Sequence, residues 1–393
     1  MDPHYTEWLN LLVRWVHMIV GIAWIGASFY FVWLENNLNR KNPRDGLSGD
    51  LWAIHGGGIY HLEKYKLAPP QMPEHLHWFK WEAYTTFLSG FMLLAVVYYL
   101  NASLYLIAPE SGLTPIEGIG ISIASLVAGW FIYDFLCESA LGKRPALLGV
   151  VLLVLLIAAA WALSQVFSGR AAYIHIGAIT GTMMVGNVFR VIMPGQRDLV
   201  AAIKEGREPN PEQPARAMLR SRHNNYLTLP VLFIMISNHF PSTYGSEWNW
   251  AILFAVALLS VLVRHYFNTR HESQRFAWTL PAAALGMLTL AFVTHPNRGL
   301  DSAAATATSQ VTNAQVVAIV NERCTSCHAA NPSSELFTAP PAGVMLETEA
   351  QIIANAARIH AQAVATQAMP LGNLTGMKQE ERDLIGAWIA QQK

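Results

Sequence analysis

Apolar runs long enough to cross a bilayer recur along the first three quarters of the chain. They fall at about 8–35, 82–107, 117–136, 145–168, 171–193, 222–240, 248–267 and 277–295. Crossing the hydrocarbon takes roughly 20 apolar residues as helix. The fourth run has no charged residue from Ala146 to Leu163. The sixth is the least apolar, because Pro230 and Asn238 interrupt it. The first is too long for the apolar region of a cleavable signal. The residues before it lack Lys and Arg and include Asp2 and Glu7, so it reads as a retained helix. The pattern predicts an all-α protein with an eight-helix membrane domain over residues 1–295. Residues 296–313 are small and polar, as in a flexible linker. A small soluble domain follows over 314–393.

The basic residues give this pattern a direction. With the N-terminus outside, the inner loops hold sixteen Lys and Arg, whereas the outer loops hold only Arg170, with Arg298 after the last helix. Basic loops stay on the cytoplasmic side. Eight crossings return the C-terminus to the outside, which places both termini in the periplasm of a bacterial inner membrane.

Composition fits the same picture. Hydrophobic residues make up 53% and charged residues 13%, about half the charge of a soluble protein, which is roughly 25%. The formal net charge is zero, so nothing suggests the basic face of a nucleic-acid binder. A faint internal likeness predicts a tandem repeat of four helices plus four. His17 lies 18 residues before Glu35, and His175 lies 18 before Met193. Trp81, Tyr84 and Thr86 are spaced like His223, Tyr226 and Thr228.

The most specific chemistry is in the C-terminal domain. Cys324-Thr-Ser-Cys327-His328 is a Cys-x-x-Cys-His run, the attachment site of c-type haem. The two sulfurs bond the haem vinyl groups and His328 ligates the iron. Met369 sits before the final helix, Gln379 to Gln391, where the second axial ligand of a cytochrome c comes. Met345 and Met377 are its competitors. The domain is expected to be a small class I cytochrome c. Covalent haem is attached outside the bacterial cytoplasm, which agrees with the loop charges. A zinc site would need a second pair of ligands, which this segment lacks. The third cysteine, Cys137, stands alone and has no assigned role.

Polar groups in the membrane segments are costly and usually functional. His17, His175, His239 and His295 fall in the outer half of the bundle. A haem b held by facing histidines, His17 and His175 first, would supply electrons to the cytochrome, since bundle cores hold cofactors in this way. The opposing reading is ordinary helix-packing histidines. The inner half carries Glu82, Asn187, Arg190, Asn224, Asn225 and Arg264. The asparagines suit a ring with carbonyls, and the arginines suit an anion, so these six are the candidates for a substrate pocket that opens inward. The inner loop at 36–81 holds His55-Gly-Gly-Gly58, His61, His75 and His77. His75 and His77 could bind a metal but lack a third close ligand. The glycine run follows no strand and carries no Lys-Ser/Thr, so it is not read as a phosphate loop.

Together these residues resemble the membrane-bound bacterial urate oxidase (urate hydroxylase) family. The likeness is carried by Trp15, His17, Gly21, Trp24, Gly26 and Phe29 of the first helix, by Arg222 to Pro230, and by Cys324 to His328 with Met369. The first helix is also similar to that of small four-helix membrane haem proteins. The resemblance implies oxidation of urate to 5-hydroxyisourate, with water as the oxygen source and no hydrogen peroxide. Electrons would leave through haem c to a terminal oxidase or a soluble cytochrome. It transfers no catalytic residues. The alternatives are a non-catalytic haem electron-transfer subunit of a membrane respiratory complex, and a transporter with an attached cytochrome.

Overall fold

Side chains that satisfy free backbone amides mark several helix starts. The computed structural model describes residues 3–210, 212–271, 273–295 and 311–391. In α3 (Pro115–Glu138) the Thr114 amide donates to Glu117 Oε2 at 2.9 Å, the Glu117 amide donates back to Thr114 Oγ1, and Pro115 opens the first turn. This capping box fixes where the chain turns into the bundle. The others are α1 (Pro3–Asn37), α2 (Trp81–Leu94), α4 (Pro145–Ser164), α5 (Gly169–Gly186), α6 (Met193–Glu205), α7 (Glu212–Ser237), the one-turn α8 (Pro241–Tyr244), α9 (Asn249–Thr269) and α10 (Thr279–Val293).

Six helices among the described residues are long and apolar enough to cross a membrane. They are His4–Asn37, Pro115–Glu138, Pro145–Ser164, Gly169–Glu205, Asn249–Thr269 and Gln274–Val293. Of the two other expected spans, 82–107 is helical in pieces: α2 runs into π-helical turns at Ala95–Tyr99 and Ala102–Leu106. The sixth, α7, is more polar, and it starts at Glu212 rather than 222. The stretch 194–221, expected to be an inner loop, is largely helix. A π turn at Asn187–Ile192 joins α5 to α6, which ends at Gly206 in a left-handed cap with φ 68°. Packing extends these helices past the apolar boundary that hydropathy marks.

The inner loop 36–81 departs from a purely helical fold. Leu47–His55 (β1) and Gly58–Tyr65 (β2) pair antiparallel, with His55 opposite Gly58. Gly56 and Gly57 have φ of 57° and 80°, the paired positive angles of a two-residue hairpin turn that glycine supplies without strain. The glycine run is therefore a hairpin turn.

The bundle core lies between α3, α4 and α5, where Leu106, Leu148, Phe167 and Tyr173 are buried. The Tyr173 hydroxyl lies 2.7 Å from the carbonyls of both Thr243 and Asn249, tying α5 to the start of α9. The expected linker, 296–313, lies mostly outside the described residues. Beyond it, α11 (Asn313–Arg323), α12 (Glu349–Ala354), α13 (Ala356–Ile359) and α14 (Gln379–Gln391) surround Val316, Val320, Ile352, Ile385 and Trp388. This domain rests on the bundle where Gly372 meets Leu104 and Thr366 meets Gly245.

Arg323 and Glu381 clamp α11 to the start of α14, at 2.9–3.1 Å. The Arg323 guanidinium holds the Glu381 carboxyl below its usual range. A depressed folded pKa stabilises above the unfolded value and is lost as pH falls through the folded one. Amide exchange in α14, corrected for intrinsic rate, should therefore accelerate more between about pH 7 and about pH 3 in the native chain than in Glu381→Gln. Equal acceleration in both would mean the clamp is inert.

Candidate functional site

The cysteine pair follows α11 directly, and the Cys327 and His328 amides donate to the Cys324 carbonyl at 3.2 and 2.9 Å. His328 Nδ1 lies 2.9 Å from the Val344 carbonyl. That bond fixes the tautomer and ring, leaving Nε2 for a ligand, as metal-binding histidines are commonly held. Burial, then the neighbouring Cys327, pushes the Cys324 thiol up to about 11. A redox-active Cys-x-x-Cys pair has its thiol lowered instead. Arg382 is buried and donates to the carbonyls of Met369, at 2.7 Å, and of Ala363. It fixes the loop carrying Met369, which packs with Cys324 and Val344 against the domain core. Of its competitors, Met377 is buried in that core and Met345 is exposed. These residues fit a c-type haem.

In the membrane domain, the six inner-half candidates separate into distinct places. Asn187 and Asn224 join one buried network. Asn187 Nδ2 donates to Tyr133 and to Asn224 Oδ1, both at 2.8 Å, and Asn224 donates to the Met184 carbonyl at 3.0 Å. Arg220, 1% exposed, anchors this network. It donates to Asp134 at 2.6 Å, Glu138 at 2.8 Å and Asn187 at 3.3 Å. Tyr133 also meets His223 Nδ1 at 2.9 Å.

Asn225 and Arg264 form a second cluster. Arg264 Nε and Asn268 Nδ2 both donate to Asn225 Oδ1 at 2.8 Å. The Arg264 guanidinium lies over Phe29, 4.2 Å from its ring centre. Asn225 Nδ2, Arg264 Nη2 and Asn268 Oδ1 are buried with no hydrogen-bond partner among the described residues. An unmade buried hydrogen bond costs about 1–3 kcal/mol, so three at one place make this cluster the candidate for holding a polar ligand. Together they offer two donors and one acceptor beside an aromatic ring. Glu82 Oε2 is likewise buried and unpartnered, but no described contact joins it to this cluster. Arg190 is exposed on the π turn and joins neither cluster.

Sequence reasoning missed Arg220, Asn268, Phe29, Tyr133 and His223. Helix spacing holds a signal for two of them: Arg220 lies four residues before Asn224, and Asn268 four after Arg264, so each shares a helix face with a chosen residue.

His17 and His175 are not brought together as facing ligands. His175 is fully buried, with Nε2 2.6 Å from Ser122 Oγ and Nδ1 2.7 Å from the Ala171 carbonyl. Both ring nitrogens are engaged, so it is a packing histidine here. His17 lines a cavity of about 330 Å³ between α1, α2, α5 and α7. His239 lines that cavity too, and with His295 it also lines a larger one, of about 1400 Å³, beside the C-terminal domain. In the segment 36–81, His61 bonds Asp50 at 2.9 Å, and His77 packs edge-on to Phe79. Among the described residues no three His, Cys, Asp or Glu gather as a metal-ion site.

Six helices long and apolar enough to cross a membrane, with a buried cluster of unpartnered polar groups among them, define the class as a helical, membrane-type bundle. The model of the urate oxidase N-terminal family matches residues 3–295, and the chain belongs to that family. Its chemistry is thereby urate-related oxidation. No curated protein and no solved structure matches the chain.

Proposed function

We propose that this protein is a membrane-bound urate oxidase whose electrons leave through a covalent haem c on the periplasmic face. The three unpartnered groups at Asn225, Arg264 and Asn268 carry this reading. Urate is a flat anion whose edge alternates carbonyl oxygens with ring N–H groups. In this reading Arg264 Nη2 and Asn225 Nδ2 donate to its oxygens and Asn268 Oδ1 accepts from a ring N–H, while Phe29 backs the Arg264 guanidinium. A site built to hydrogen-bond its substrate rejects analogues that leave those groups unpaired. Asn187, Asn224 and Arg220 brace α3, α5 and α7 beside it. Glu82 and Arg190 are assigned no contact with substrate.

The reaction is urate plus water giving 5-hydroxyisourate, two protons and two electrons. When bound, the haem at Cys324, Cys327, His328 and Met369 supplies a one-electron acceptor. His328 is oriented by Val344, and the Met369 loop is held by Arg382. With 82–107 and α7 counted as crossings, the bundle has eight spans and both termini outside, in a bacterial inner membrane. The acceptor is then a terminal oxidase or a soluble cytochrome. Membranes containing the protein should take up oxygen with urate and release no peroxide to a peroxidase-coupled dye. Peroxide formed in step with urate loss would overturn the cytochrome route.

A further inference from the structure

The cavity lined by His17 has features that the urate reading does not use. Its volume, about 330 Å³, is in the range of small-molecule and cofactor sites. It lies among α1, α2, α5 and α7, and its lining includes Met18, Phe91 and Ile236, which are exposed on the lipid-facing surface. Its occupant is therefore mostly apolar and can enter from the bilayer.

One histidine is set for ligation. His17 Nδ1 lies 3.1 Å from the Thr86 carbonyl and 3.1 Å from Ser89 Oγ on α2. Nε2 has no hydrogen-bond partner among the described residues. This is the arrangement His328 shows with Val344: Nδ1 anchored to a backbone carbonyl, Nε2 available to a metal. Gly90 leaves room for the imidazole itself, since a Cβ there would stand 3.0 Å from the His17 ring, and Gly181 faces open space, since a Cβ there would meet nothing within 4 Å. Arg14, one turn before His17, lines the same cavity and supplies the cation that a carboxylate on an apolar ring would require.

From the cavity, side-chain contacts lead toward the C-terminal domain. Tyr98 lines it, and the Arg170 guanidinium lies 6.0 Å from the Tyr98 ring and 5.4 Å from the Tyr105 ring. Leu104, beside Tyr105, meets Gly372 of the C-terminal domain. Arg170, the lone basic residue of the outer loops, is thus held between two aromatic rings, with Nε donating to Asn238 at 3.1 Å.

From these observations we infer that the cavity binds a second, non-covalent haem, with His17 Nε2 on its iron and Arg14 paired to a propionate. The inference is independent of where urate binds. It fits the electron count, since two one-electron centres can together take both electrons of a two-electron oxidation. A membrane quinone is the rival occupant; it could accept from the imidazole, but it carries no carboxylate to pair with Arg14.

Acid–acetone extraction separates the two kinds of haem, because covalent haem c stays with the protein. The purified full-length chain should yield about one extractable haem beside its haem c. His17→Ala should lose the extractable haem and keep haem c. Gly181→Leu, which fills the cavity without touching the histidine, should do the same. Extractable haem below a tenth of the haem c content in the native chain would overturn the inference. So would native-level haem in both variants, or recovery of a quinone in its place. Reduction of haem c by urate is a separate readout, so failure here leaves the urate assignment standing.

Discussion

Arg264→Met should lower kcat/KM for urate by about 100-fold, or roughly 2.8 kcal/mol at about 1.4 kcal/mol per decade, while the haem c spectrum stays native. Arg264 is buried, so its unsatisfied Nη2 has no solvent to turn to. An anion that reaches it exchanges water for a charge-assisted hydrogen bond, about twice as strong as a neutral one. Methionine keeps most of the side-chain length and the packing on Phe29 but offers no donor. The loss should appear chiefly in KM if Arg264 binds urate and its transition state equally, and in kcat if the contact strengthens as the ring is attacked. Steady-state oxygen uptake over a range of urate concentrations separates the two. Unchanged kinetics would remove the site from α7 and α9.

Arg220→Met should act on the fold. It removes the donor shared by Asp134, Glu138 and Asn187 and the cation beside Tyr133, 5.0 Å from its ring centre. Breaking a fully buried ion pair costs about 3–5 kcal/mol. Asp134 and Glu138 keep 29% and 41% side-chain exposure, so water can partly re-solvate them, and about 2–3 kcal/mol is the expected loss. The thermal midpoint in detergent should fall by roughly 4–12 °C, at about 2–4 °C per kcal/mol for a domain of this size. The double variant Arg220→Met with Asn187→Leu should lose less than the sum of the two single changes, because both act on one network. A midpoint unchanged by Arg220→Met would show that the network bears no weight.

The sequence speaks plainly where a pattern is long or a spacing is chemical. The apolar runs over α1, α3, α4 and α9 give helices because a segment of that length and composition can satisfy its backbone within itself only as a helix. Two sulfurs and an imidazole in five residues likewise leave few readings. Asn225 and Arg264 could be picked because polar groups in apolar helices need a reason. Other features depend on packing that no local window contains. The hairpin at 47–65 was hidden by its glycine turn, although aromatic and β-branched residues flank it on both sides. The part of α7 before 222 is polar and became helix through contacts with α3, made by Arg220. His175 matched His17 in depth but not in surroundings, because Ser122 of α3 occupies the nitrogen a metal would need.

The most direct test of the central claim is anaerobic mixing of the oxidised, detergent-purified chain with urate, followed by the haem c absorbance. The account predicts prompt reduction by urate and none by xanthine or allantoin, with the reduction lost in Arg264→Met. No reduction by urate, together with prompt reduction by a quinol, would contradict it and make the chain an electron-transfer subunit.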